Sequence, residues 1–177
     1  EALERELGDA VYLLFGYSLG GLLAFELARE MRRRGLPLPR HLFVAAVSAP
    51  QIKPREKPFS DLPHDAFLTK IRELGGTPEE LLANPEILEL LMPVLRSDFK
   101  AYETYTFQEG QPLTCPITAL GGTRDKLVER EDLNGWSVHA GAGFGLHLFE
   151  GDHFFINMHF KDVCTIINRA LSPQRPW

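Results

Sequence analysis

Apolar residues fall along this chain in two rhythms, and their alternation predicts a fold class. Val11–Phe15 (VYLLF) is a short apolar run closed by Gly16, too short for a helix and suited to a buried strand. Leu19 to Arg34 follows with Leu23, Leu27 and Met31 at four-residue steps and Ala24 and Ala28 beside them. This is the pattern of a helix, and Arg29, Arg32, Arg33 and Arg34 crowd its negative end before Gly35. Beyond Pro37 and Pro39, His41–Val47 (HLFVAAV) reads as a strand covered on both faces. Pro116–Leu120 (PITAL) and Gly145–Phe149 (GLHLF) are two further strands. Phe155–Leu171 then places Ile156, Phe160, Val163, Ile167 and Leu171 on one face of a last helix. Strands alternating with helices predict an α/β architecture, a mostly parallel sheet joined by right-handed crossovers.

Between the second and third strands the rhythm changes. Residues 51–58 contain Pro54, Pro58 and one aliphatic residue, Ile52, which rules out a ladder strand. From Asp61 to Lys100 every signal is helical. Thr77-Pro78-Glu79-Glu80 predicts a capping box with proline in the first helical position. Asn84-Pro85 predicts a second start, followed by Ile87, Leu88, Leu91 and Leu95. We expect a single domain over 1–177 with a helical insertion over about 51–110. Residues 1–7 (EALEREL) read as the end of an amphipathic helix, so the chain is expected to begin inside a larger fold.

Composition narrows the classes. The 19 Lys and Arg against 24 Asp and Glu leave a net charge of −5, with 44% hydrophobic and 24% charged residues among 177, the balance of a globular domain and not of a disordered chain. A nucleic-acid footprint would need a clearly basic domain, and a bilayer span an apolar run of ~20 residues. Neither is present, so neither nucleic acid nor membrane is expected as a partner. Cys115 and Cys164 lie far apart without a CxxC motif and read as reduced thiols of a cytoplasmic protein. No Cys/His/Asp cluster has metal-ligand spacing, and no cofactor is expected.

Candidate chemistry begins at Gly16-Tyr17-Ser18-Leu19-Gly20, a G-x-S-x-G match with a predicted strand before it and a helix after it. Such a turn lifts a serine hydroxyl above the strand end. It also leaves the Leu19 N–H free to face a developing oxyanion. The glycines at both flanks, with Gly21, are expected to let strand and helix approach. The competing reading is that Ser18 simply caps the helix. Of six histidines, His153 lies in a loop just past a strand's carboxyl end, the edge where open α/β sheets bind ligands. Asp125 follows the third strand at the same edge, with Asp132 and Asp152 as weaker candidates. The order Ser18, Asp125, His153 agrees with the Ser…Asp…His order of α/β-hydrolases.

These residues resemble a type II thioesterase of the α/β-hydrolase superfamily, the editing enzymes of polyketide and nonribosomal peptide synthases. The resemblance covers almost the whole chain and rests on GYSLGG at 16–21, GGTP at 75–78, PVLRSDFKAYETY at 93–105, PITALGGTRD at 116–125, Trp136 and GDHFF at 151–155. It implies a parallel sheet with helices on both faces and a helical lid over the acyl chamber, with Leu81, Leu82, Ile87, Leu88 and Leu91 either lining that chamber or packing the lid against the body. The early strands and the Gly-rich loop that donates a second oxyanion N–H in this family have no counterpart here and are expected upstream of Glu1. Where the family usually has His, this chain has Tyr17, which bears on the pocket beside Ser18.

The resemblance further implies hydrolysis of acyl or aminoacyl thioesters on the phosphopantetheine arm of an acyl or peptidyl carrier protein. Ser18 would be the nucleophile, His153 the base, Asp125 its orienter and Leu19 an oxyanion donor, in a monomer with no metal. The run Lys53, Arg55, Lys57, broken by Glu56, is a candidate docking patch for an acidic carrier. Two other readings stand beside this one: a carboxylesterase or lipase-like hydrolase of small esters, and a non-catalytic carrier-binding pseudoenzyme.

Overall fold

The structure, a computed structural model, describes residues 10–171. The helix end read at residues 1–7 lies outside the described residues. The chain divides into two compact units, one formed by residues up to Lys53 together with those from Gln108 onward, the other by Pro54–Phe107.

The first unit holds four strands, β1 (Leu14–Tyr17), β2 (Leu42–Ala45), β3 (Ile117–Gly122) and β4 (Phe144–Phe149), all parallel in the order β1-β2-β3-β4. Pairing brings Tyr17, Ala45, Leu120 and His147 into one row across the sheet. β1 starts later than its apolar run, because its ladder begins where Leu14 meets Leu42, and it continues through Gly16 and Tyr17. β2 and β3 are buried along their whole length, as their continuous apolar sequences require.

Helices cover both faces. Leu120 packs into a cluster with Ala45, with Phe155 and with Val163 of the last helix, whereas a side chain on the next residue, Gly121, would strike Leu133, in the helix that follows β3. Helix α1 (Leu19–Arg33) follows β1, α5 (Arg130–Asn134) and a 3₁₀ turn (Gly135–His139) follow β3, and α6 (Ile156–Leu171) follows β4. Phe25 of α1 meets Trp136 edge-on, and the Trp136 indole N–H donates to the Val47 carbonyl at 2.9 Å. Arg29 and Arg32 donate to the carbonyls of Gln108, Gln111 and Pro112, which fixes the returning chain against α1.

Two helical stripes differ from expectation. α1 buries Leu22, Phe25, Ala28 and Met31, while Leu23 is 60% exposed and Leu27 half-buried. Gly21 must face Val47, and Leu23 lies about 200° further round the helix. In α6, backbone angles at His159 leave the helical region (φ −111°, ψ 22°). The kink turns Phe160 outward, 62% exposed, and Leu171 is also exposed. Ile156, Val163, Ile166 and Ile167 pack against the sheet.

The second unit is helical: α2 (His64–Leu74), α3 (Glu79–Leu82) and α4 (Pro85–Thr104). Asn84 caps α4 as its sequence predicts, its Oδ1 accepting from the N–H groups of Glu86 (3.0 Å) and Ile87 (3.3 Å). The expected Thr77 capping box is absent; Pro78 takes the cap position of α3 and no side chain bonds there. Phe59, Phe67, Leu68, Ile71, Leu82 and Met92 form this unit's core, with Leu88, Leu95 and Phe99 against it. Leu82 lies in this unit's own core, and Leu88 is partly buried against it. Glu103 near the end of α4 accepts from the N–H groups of Phe59 (2.7 Å) and Ser60 (3.1 Å) and from the Ser60 hydroxyl. Arg96 donates to the Ser60 carbonyl and stacks over the Phe67 ring at 4.2 Å.

Among the described residues, no helix is long and apolar enough to cross a membrane.

Candidate active site

β1 hands over to α1 at Ser18, which has φ 52° and ψ −125°. The Ser18 N–H still donates to the Ala45 carbonyl at 2.8 Å, extending the β1–β2 ladder by one residue before the helix begins. The turn is possible because Gly16 has no side chain: a Cβ there would lie 2.1 Å from the Gly20 carbonyl oxygen and 2.5 Å from the Gly21 Cα. Gly21 in turn leaves room for Val47, whose Cγ1 would be 2.6 Å from an added Cβ. Gly20 is different. An added Cβ meets nothing within 4 Å, so close approach rests on Gly16 and Gly21, not on both flanking glycines as expected. The Ser18 side chain makes no capping bond to α1. The Leu19 N–H, first of the helix, has no carbonyl one turn back to bond.

The loops after β3 and β4 are bound to each other. The Thr123 N–H donates to the Phe149 carbonyl and the Arg124 N–H to the Gly151 carbonyl, each at 2.8 Å. Gly122 lets them meet, since a Cβ there would sit 2.2 Å from the Asp152 carbonyl oxygen. Asp125 is thereby placed beside His153. Its Oδ1 accepts from the N–H groups of Leu127 (2.8 Å) and Val128 (3.2 Å), which orients Oδ2 toward His153 Nδ1 at 2.8 Å. His153 Nε2 lies 3.2 Å from Ser18 Oγ. The network assigns the imidazole proton to Nδ1 and leaves Nε2 to accept from the serine hydroxyl. The Asp125 side chain is 1% exposed and that of His153 13%, so the carboxylate is sealed from water while the imidazole keeps one accessible edge.

The other candidates fall elsewhere. Asp132 Oδ2 accepts from the Glu129 N–H at the start of α5, a capping role. Asp152 Oδ1 accepts from the Phe154 N–H and shapes the loop. His41 stacks on Phe43 and bonds Thr118 Oγ1, and His139 sits between Phe25 and Trp136 with Gln51 Oε1 at 2.6 Å. Burial lowers the pKa of both. His159 Nε2 is 2.8 Å from the Glu150 carbonyl oxygen. Sequence reasoning missed Ala46, which also takes a positive φ (51°) where β2 ends, and the contact of Tyr17 with the base loop. Nothing in a lone Ala or Tyr signals either. Among the described residues no group of three His, Cys, Asp or Glu is arranged to hold a metal ion.

A thioesterase domain model matches residues 1–171. Relatives similar to the chain include the linear gramicidin dehydrogenase LgrE of Brevibacillus parabrevis, 38% identical over 177 residues, covering 94% of this chain and 67% of that protein. The thioesterase PikA5 of Streptomyces venezuelae is 39% identical over 157 residues, covering 89% of this chain and 56% of PikA5. The solved structure of RedJ, the thioesterase of the prodiginine biosynthetic pathway in Streptomyces coelicolor, superposes with a TM-score of 0.86 at 33% identity, over 96% of this chain and 67% of that one. The chain thus spans between just over half and two thirds of the length of these three relatives.

Proposed function

The chain belongs to the thioesterase family, and on that premise we propose that the protein is a type II thioesterase that hydrolyses acyl or aminoacyl thioesters on the phosphopantetheine arm of carrier proteins in polyketide or nonribosomal peptide assembly. One observation carries the reading. Ser18, at a strained positive φ, makes no capping bond, and its Oγ stands 3.2 Å from an imidazole whose other nitrogen is bonded to a sealed carboxylate. A cap would need neither the strain nor the imidazole.

In this reading Ser18 Oγ attacks the thioester carbonyl carbon as its proton passes to His153 Nε2. The oxyanion that forms is met by the Leu19 N–H. When the tetrahedral adduct collapses, the C–S bond breaks and the imidazolium returns its proton to the departing thiolate, leaving an acyl ester on Ser18. Water, deprotonated by the same Nε2, attacks that ester, and the carboxylic acid departs as Ser18 regains its proton. Asp125 holds the Nδ1–H tautomer and stabilises the imidazolium in both halves. The dehydrogenase in the name of LgrE is not carried to this chain, because hydroxyl, imidazole and carboxylate in series at a strand–helix turn serve acyl transfer.

Residues 54–107 are the lid insertion in this reading. Lys53, Arg55 and Lys57, all exposed, steer an acidic carrier to the enzyme. Reversing the three charges is expected to flatten the salt dependence of the on-rate for the carrier, measured by stopped flow; an unchanged dependence removes the patch from the proposal.

The deciding experiment has two arms. A fluorophosphonate is expected to label Ser18, and kcat/KM is expected to be higher on an acyl-carrier protein than on a simple ester of the same acyl group. Equal or reversed preference would make the protein a general esterase. No labelling and no turnover would make it a binding protein.

A further inference from the structure

One polar group beside the site takes no part in the proton path: the Tyr17 hydroxyl. Tyr17 is the last residue of β1, directly before Ser18. Its ring lies on the α6 side of the sheet, packed with the cluster of Ala45, Leu120 and Phe155. It meets the His153 imidazole edge-on with centroids 5.7 Å apart and tilts against Phe155 at 6.3 Å. Its hydroxyl donates to the carbonyl oxygen of His153. Burial, and the nearby carboxylates of Asp125 and Asp152, raise its pKa well above the usual phenol value, so it stays a donor across the working pH range.

The other anchors of the base loop act at different atoms. Asp125 Oδ2 fixes the ring through Nδ1, and the loop backbone is held by Arg124 N–H on the Gly151 carbonyl and Phe155 N–H on the Asp152 carbonyl. These bonds tie the loop to β3 and to itself. The Tyr17 bond joins the base's own peptide group to the residue next to the nucleophile. A base anchored at Nδ1 pivots about that atom, and such a pivot changes the Nε2 to Oγ distance most.

We propose that Tyr17 is a positioning residue whose hydroxyl, bonded to the His153 carbonyl, couples the base loop to the nucleophile elbow and holds Nε2 at 3.2 Å from Ser18 Oγ. The inference rests on the serine-hydrolase reading above. It concerns the reaction step and not substrate binding, because Tyr17 acts through His153. A misplacement of about 1 Å at a reacting group costs up to ~10²-fold in rate.

Tyr17→Phe keeps the ring and removes the donor. In that variant kcat is expected to fall about tenfold or more, with KM within about twofold, and the rate of Ser18 phosphonylation to fall by the same factor as kcat. The downfield proton resonance of the His153–Asp125 bond is expected to broaden, while the thermal midpoint stays within a few degrees. A folded Tyr17→Phe protein with wild-type kcat and phosphonylation rate would overturn the inference. So would a variant that fails to fold, or one whose loss follows thermal unfolding with the resonance unchanged, since the bond would then be structural. Failure of the underlying hydrolase reading looks different: the unaltered protein would leave Ser18 unlabelled, and this inference would fall with it.

Discussion

Ser18 keeps a backbone conformation that costs an L residue about 1–3 kcal/mol, and the surrounding contacts over-determine it. The Ser18 N–H is fixed on Ala45, and Gly16 and Gly21 open the space through which the turn passes. Replacing Ser18 by Ala is expected to abolish fluorophosphonate labelling and lower turnover of an acyl-carrier substrate by ~10⁴ or more; near-wild-type turnover would dismiss the nucleophile assignment. Asp125→Asn retains an oxygen for the Leu127 and Val128 N–H groups but turns an NH₂ toward His153 Nδ1. The imidazole must then move its proton to Nε2, where it can no longer accept from Ser18. A loss on the order of 10⁴ in kcat is expected, without comparable loss of thermal stability. The glycines separate cleanly. Gly20→Ala is expected to leave the thermal midpoint unchanged or raise it, since Ala is favoured over Gly in a helix by up to about 1 kcal/mol and the site is open. Gly16→Ala drives a Cβ into backbone and is expected to prevent folding of the elbow, seen as loss of soluble, labellable protein.

At the scale of elements, helical spacing identified α1, α4 and α6 but not the phase of each. Leu23, Leu27 and Met31 share a stripe in α1, yet the elbow sets the rotation and buries Leu22, Phe25 and Ala28 beside Met31. A β-turn or cap leaves a local signature; rotation about a helix axis is decided by what the helix is welded to. α6 shows the same with its kink at His159, which takes Phe160 off the packed face. The helical unit contrasts one cap that forms with one that does not. Asn84→Ala is expected to cost about 1 kcal/mol, read as a lower denaturant midpoint for this unit. Glu103→Ala removes the acceptor of two N–H groups and a hydroxyl at Phe59 and Ser60, so a larger cost of about 2–3 kcal/mol is expected, partly restored by Gln. Equal costs for the two variants would mean that water replaces the carboxylate.

For the molecule as a whole, the two histidines packed into the sheet unit set a pH dependence. Burial lowers the pKa of His41 and of His139, so the unfolded chain binds protons that the folded one resists. Their contribution to stability is present above the ordinary histidine pKa of about 6.5 and is lost as pH falls below it. The thermal midpoint is expected to drop between about pH 7.5 and pH 5.5, and His139→Gln to reduce that drop; a flat profile would contradict the burial argument. The family motifs divide at this scale as well. Gly16-Tyr17-Ser18 and Gly151-Asp152-His153 build the hydrogen-bonded chain, whereas Arg96, Phe99, Glu103 and Trp136 hold backbone and core together. By itself the sequence determined the parallel α/β class, the existence of a helical insertion, and the residue types at 18, 125 and 153. These follow from periodicity and from turn chemistry at strand ends, which are local. Tertiary structure decided which carboxylate meets His153, that Gly20 faces open space at the turn, and that Tyr17 reaches the base loop. Each of these depends on distances between segments far apart in the chain, and pairing of β3 with β4 and of β1 with β2 sets those distances.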